Sequence, residues 1–280
     1  MAAEIKSLTS PSWPEGVRLP VVLTFEHQAG EGVASRPGDR FNANAFGQTE
    51  YGARSGIWHI LEMLDRVEVK STFFVSGIAA ERYPEAIQAA LAAGHDIAGM
   101  GYSFEKVRTA SWQREQSIVR RSAKALQDVC GAAIRGWRCP DYRISPQTFD
   151  VLSSEGFVWD SSMLNDDLPY RFQCESGHLI EVPFTTSTAD KAYVAWPNPV
   201  CGGSPALANV WEMEFDVLYR EATLAPRFMI LSLQTWASGR PVTLRTLRQF
   251  IERVKTYNDA PFVRCDEIAA WSKNTLSPVF

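Results

Sequence analysis

Val21-Val22-Leu23-Thr24-Phe25-Glu26-His27-Gln28 is the stretch on which the reading of the fold turns. Residues 21–25 cluster β-forming side chains as a buried strand does. The run then ends on three polar side chains, Glu26, His27 and Gln28. Polar groups at the carboxyl end of a buried strand are where α/β enzymes hold their chemistry. The strand end therefore reads as a metal site, a metal-free acid–base site, or the remains of one.

Outward from this strand, helical and strand-like segments alternate. Residues 52–67 place Ile57, Leu61 and Leu64 on one helical face. Residues 69–77 form a compact β-branched and aromatic run ending at Gly77. A helix over 83–96 starts on Pro84 and stops near Gly94, and a short strand follows at 96–100. Ser111 and Gly131 bracket a long helix as cap and stop. A strand over 134–138 leads to a helix with Ser145 as its cap, Pro146 at its first position and Gly156 as its stop. The second half adds strands near 178–184, 228–236 and 260–265, and helices near 211–223, 243–255 and 266–273. Between them, 185–208 reads as one long loop, the kind that is often functional. Such βα repetition predicts an α/β fold with a parallel sheet or barrel of about seven strands. Residues 1–280 read as a single domain with a short N-terminal extension over about 1–18.

Composition narrows the function classes. With 45% hydrophobic and 21% charged residues, the chain is of the ordinary globular kind. At 280 residues it is large enough to bury a core without a disulfide or structural metal. The net charge is −4 and the basic residues are scattered, so neither a nucleic-acid nor a membrane partner is expected. No apolar leader or 18-residue apolar run is seen. The five cysteines are odd in number and widely spaced, as reduced thiols in a cytoplasm are.

Candidate residues collect at the other strand ends. Met100 to Glu105 reads MGYSFE, and Arg138, Cys139 and Asp141 lie in RCPDYR. Asp160 precedes NDDLPY, which holds Asp166 and Asp167, and Gln234 and Trp236 lie in QTW. Trp196 sits within the long loop.

The order and wording of these segments resemble the polysaccharide deacetylase superfamily, the NodB-homology fold. The resemblance runs from about Trp13 to Trp271, and it is nearest to the metal-free, allantoinase-like and cytoplasmic peptidoglycan-deacetylase-like branch. It rests on WPEGVRLPVVLTFE, EYGARSGIWHILEMLDRVEVKSTFFVSG, AAGHDIAGMGYSFE, RGWRCPDYRISPQTFDVLSSEGFVWDSSML, NDDLPY, LSLQTWASGRP and DEIAAW in sequence. It implies a distorted (β/α)7 barrel and, for this branch, a homo-oligomer, dimer or tetramer.

For the catalytic positions the resemblance implies that Glu26 matches the family's base, with the metal-ligand place falling on His27 or Gln28. The two metal-binding histidines of the second motif correspond to Met100 and Phe104, and the histidine acid of the late motif to Gln234. Zinc takes His, Cys, Asp or Glu donors, so a thioether and a phenyl ring do not replace two imidazoles. No metal and no cofactor are therefore expected. Glu26 is expected as general base, with His27 and Arg138 as catalytic partners. Gln28, Met100, Phe104, Cys139, Asp166, Asp167, Trp196, Gln234 and Trp236 are expected to contact a small-molecule substrate. Adjacent strand residues point to opposite faces, which sets His27 against Glu26 as a pocket partner. The leading expectation is a metal-independent hydrolase of a C–N bond in a cyclic or linear amide: an imide, ureide or lactam. Three alternatives stand beside it: a metal-free enzyme of other chemistry on the same barrel, a non-catalytic binding protein, and a zinc-dependent sugar deacetylase.

Overall fold

The computed structural model describes residues 11–31, 42–105, 107–194 and 203–273. Its strands are β1 (Val21–His27), β2 (Thr72–Val75), β3 (Asp96–Gly99), β4 (Gly136–Trp137), β5 (Trp159–Asp160), β6 (Tyr170–Cys174), β7 (Gly177–Glu181), β8 (Met229–Gln234) and β9 (Phe262–Val263). They lie in one sheet in the order β6-β7-β5-β4-β3-β2-β1-β8, with β9 paired to β1. Every pairing from β7 to β8 is parallel, so seven parallel strands run in succession. Among the described residues only the β6–β7 hairpin is antiparallel.

The sheet curls into an open barrel of the (β/α)7 kind. Chain following β7 bridges towards β8: the Thr188 hydroxyl donates to Ile230 O at 2.8 Å, and Asp190 N to Ser232 O at 3.3 Å. The region 185–208, expected as one loop, contains two helices among its described residues. These are α7 (Lys191–Val194) and the start of α8 (Gly203–Glu221). Its apolar face explains the difference, since Leu207, Trp211 and Phe215 are buried from that helix at near-helical spacing.

The remaining helices are α1 (Ala43–Tyr51), α2 (Ile57–Arg66), α3 (Gly77–Arg82), α4 (Pro84–Ala92), α5 (Trp112–Cys130), α6 (Thr148–Ser154), α9 (Thr235–Ser238), α10 (Pro241–Val254) and α11 (Cys265–Trp271). α2 buries Ile57, Ile60, Leu61 and Leu64, the stripe its sequence announces. Ser111 caps α5 by accepting from Arg114 N, and Gly131 ends it in the left-handed conformation. α6 starts later than its sequence suggests. Ser145 Oγ accepts instead from Gln147 N in a turn, and the helix begins at Thr148. No helix among the described residues is long and apolar enough to cross a membrane.

Strand parity sorts side chains into two cores. Val21, Leu23 and Phe25 of β1 join Phe73, Met229, Leu231 and Leu233 in the layer beneath the helices. Val22 joins Phe74, Ala98, Met100, Trp159, Ile180 and Ile230 inside the curl. Thr24 and Glu26 share the parity of Val22 and so face the interior, whereas His27 shares that of Phe25.

Candidate active site

The interior polar cluster is built from the ends of β1, β4 and β8. Glu26 is 5% exposed and sits in register with Gln234 across the β1–β8 ladder. The Gln234 amide donates to Glu26 Oε2 at 2.5 Å. The Tyr142 hydroxyl donates to Glu26 Oε1 at 3.0 Å and lies 3.2 Å from Ser232 Oγ. Arg138 Nη1 stands 3.6 Å from Glu26 Oε1.

Arg138 is fully buried, and its surroundings account for that. Nε donates to Ser161 O and Nη2 to Ser161 Oγ, both at 2.8 Å. Nη1 reaches Thr24 Oγ1 at 3.2 Å and Ser232 Oγ at 3.4 Å. The guanidinium lies over the rings of Phe74 and Phe184, at 3.9 and 4.7 Å from their centroids. A buried cation is tolerable when it is paired and its donors are used, and both conditions hold here. The resulting arrangement gathers a carboxylate, a cation and four hydroxyls, those of Thr24, Tyr142, Ser161 and Ser232. These are the components for activating water and for stabilising an oxyanion.

Several expected residues lie elsewhere. His27 points to the helix side of β1, where its Nδ1 lies 3.2 Å from Thr235 Oγ1 and its buried Nε2 has no partner among the described residues. Burial pushes this imidazole down to about 4. Strand alternation thus separates His27 from Glu26. Cys139 falls into the outer cluster with Val119, Trp137 and Phe149 rather than into the interior, again by parity. Burial pushes its thiol well above the usual range. Asp166 and Asp167 are exposed, and Asp166 Oδ1 accepts from Leu168 N in a turn. Arg138 needs neither of them, because Ser161 and Glu26 already meet its donors. Trp236 lines a cavity of about 710 Å³ together with Val194, Ser204, Arg240 and Thr243, and Glu26 is not among the residues bounding it. Gln28 is buried just past the end of β1. Met100 is packed in the interior apolar cluster, and Phe104 is half-buried with a left-handed backbone, φ 63°. Trp196 lies outside the described residues.

The structure adds Tyr142, Ser232, Thr24 and Ser161 to the cluster. Thr24 and Ser232 are two residues before Glu26 and Gln234, so the period of a strand gives them away. Tyr142 and Ser161 follow short strands, and only the folded path of their loops brings them in. On the opposite face of the sheet, Asp160 and Glu181 form a buried carboxyl pair. Asp160 accepts from Ser162 N and Oγ, and Glu181 accepts from Met163 N. Burial pushes Asp160 up to about 6, and burial, followed by the Asp160 charge, raises Glu181 well above its ordinary range. Asp190 accepts from Gln234 N and the Ser238 hydroxyl, fixing the chain at the end of β8.

The zinc tied to the deacetylases by resemblance finds no ligand set in this cluster. The residues around Glu26 are a guanidinium, an amide, a phenol and hydroxyls, with Met100 and Phe104 in the histidine places. No group of three His, Cys, Asp or Glu side chains placed to hold a metal occurs among the described residues. A cation beside Glu26 would also meet the Arg138 charge.

Comparison with known proteins agrees with this architecture. The polysaccharide deacetylase family model matches residues 46–158. A peptidoglycan deacetylase of Helicobacter pylori is 23% identical over 248 residues, covering 78% of this chain and 84% of that protein. A Mycobacterium smegmatis structure assigned to the polysaccharide deacetylases is 28% identical with a TM-score of 0.85, covering 97% of this chain and 96% of its own. The PuuE allantoinase structure is 28% identical with a TM-score of 0.83, covering 94% and 92%. Family match, relatives and strand order together show that the chain is similar to the polysaccharide deacetylases and shares the NodB-homology fold of its structural neighbours.

Proposed function

We propose that the protein hydrolyses a C–N bond of a small cyclic amide, an imide or ureide, with Glu26 as general base and without a metal ion. The family and the allantoinase relative make it a hydrolase of non-peptide C–N bonds. The observation that carries the finer reading is the composition of the interior cluster, in which a buried carboxylate is held by Arg138, Tyr142 and Gln234. Glu26 would take a proton from water as the water attacks the amide carbonyl. The Arg138 guanidinium and the Ser232 hydroxyl are the donors nearest the oxyanion that develops. Collapse of the tetrahedral species breaks the C–N bond, and the proton held by Glu26 passes to the leaving nitrogen.

The allantoinase likeness favours ring opening over sugar deacetylation. The test is a panel of hydantoin, dihydrouracil, succinimide, allantoin and N-acetylglucosamine oligomers, followed by NMR. Ring opening of at least one cyclic member, with no acetate from the oligomers, is expected. Acetate release alone would reverse the assignment.

A further inference from the structure

Tyr142 stands in an unusual position for a wall residue. Its hydroxyl donates to Glu26 Oε1 and touches Ser232 Oγ, so it meets both the base and a proposed oxyanion donor. Its ring packs on Phe184 with centroids 4.2 Å apart, over the same phenyl ring that Arg138 covers. Yet it is only half-buried, on a three-residue 3-10 turn, Pro140–Tyr142, at the mouth of the curl.

The backbone beneath it is strained. Asp141 and Tyr142 are consecutive non-glycine residues in the left-handed region, φ 50° and 58°. For a tyrosine this conformation is an outlier, held only where the surrounding contacts enforce it. Two hydrogen bonds hold the turn, Tyr142 N to Cys139 O at 2.9 Å and Arg143 N to Pro140 O at 3.2 Å. The Asp141–Lys191 ion pair at 3.4 Å is exposed and adds little. The inward pull is therefore the phenol itself, through its ring contact and its bonds to Glu26 and Ser232.

We infer that the Tyr142 side chain occupies the seat of the substrate ring and swings out before turnover. This rests on Glu26 being the base. The occupant that replaces it is a flat ring with an N–H where the phenol O–H now lies, donating to Glu26 Oε1, while its carbonyl meets Ser232 and Arg138. Release of the strained turn offsets part of the loss of the phenol's contacts. Arg138 stays in place during the exchange, since Ser161, Thr24 and the Phe74 ring hold it from below.

The test titrates succinimide and N-methylsuccinimide by NMR into wild-type protein and Tyr142→Ala. With the seat vacated, succinimide should bind the variant at least ten-fold more tightly than the wild type. N-methylsuccinimide, which has no N–H, should show no such gain. No gain for either imide, or equal gains for both, would overturn the inference. If Tyr142→Ala does not fold, Tyr142→Phe keeps the ring and removes the tether. Amide exchange over 141–145 should then quicken about ten-fold while that of β1 stays unchanged, and unchanged exchange in the loop would overturn it. Ring opening is read in the same samples. A binding gain without hydrolysis would remove the hydrolase reading and leave the seat, and hydrolysis without the gain would do the reverse.

Discussion

Glu26 and His27 are neighbours in sequence and belong to different parts of the molecule. Glu26 faces Arg138, Tyr142 and Gln234 inside the curl, and His27 faces Thr235 beneath the helices. Replacing Glu26 by Gln should abolish turnover, by about 10² to 10⁴ for the loss of a general base. It should also destabilise the fold by about 3 kcal/mol, because Arg138 keeps its buried charge without a partner. Urea unfolding checks the second point independently of any substrate. His27→Leu should behave in the opposite way. It loses one hydrogen bond but frees the structure of a buried, unpartnered Nε2, so activity should stay within about three-fold. Its stability effect should depend on pH. The folded imidazole sits at about 4, below its ordinary 6.5, so its contribution is present above 6.5 and lost as pH falls through 4. Unfolding at pH 7.5 and 4.5 should show the wild type losing this increment and His27→Leu not. At this scale the sequence was legible for Glu26, Arg138 and Gln234, whose residue types stand out. The burial of His27 was half legible, since alternation is a rule of strands but the place where β1 ends is not. Cys139 adjoins Arg138 in sequence yet falls on the other face of the sheet, and Asp166 lies in an exposed turn, a loop path that residue type does not reveal.

Among the elements, the end of β8 is what holds Gln234 against Glu26. Three things fix it: the β1 ladder, the Asp190 carboxylate on Gln234 N, and the close approach of the helical turn before α2. At Gly56 a Cβ would lie 2.3 Å from Thr235 O, so no side chain fits there without moving α9. Gly56→Ala should therefore cost about 1–3 kcal/mol by overpacking. It should also lower turnover by displacing Gln234, which comparison of its thermal unfolding and activity with wild type would show. Asp190 carries a pH signature of its own. Burial pushes it up to about 7 from an ordinary 3.8. Its contribution to stability is accordingly full below 3.8 and lost as pH rises through 7. Asp190→Asn should remove that slope, so the variant should gain on the wild type between pH 5 and 8 in denaturant titrations. Equal slopes would contradict the assignment. The helices around this region were readable from caps and apolar stripes, as α2 and α5 show. β6 and the start of α8 were not, because both depend on what packs over them rather than on a local signal, whereas β7 falls on the strand expected near 178–184.

At the scale of the whole molecule, seven parallel strands turn their carboxyl ends towards one another, and this brings Glu26, Arg138 and Gln234 together from positions 26, 138 and 234. The βα alternation made that convergence legible, whereas the loop paths that add Tyr142 and Ser161 required the folded chain. The central claim is that this convergence performs hydrolysis with a carboxylate and a guanidinium where deacetylases are tied to zinc. The most direct measurement is the opening of hydantoin and succinimide by protein stripped with a chelator, with wild type and Glu26→Gln assayed side by side. The account predicts that stripped wild type keeps its rate, that added zinc does not raise it, and that Glu26→Gln loses it. A rate that vanishes on stripping and returns only with zinc, or that survives in Glu26→Gln, would contradict it.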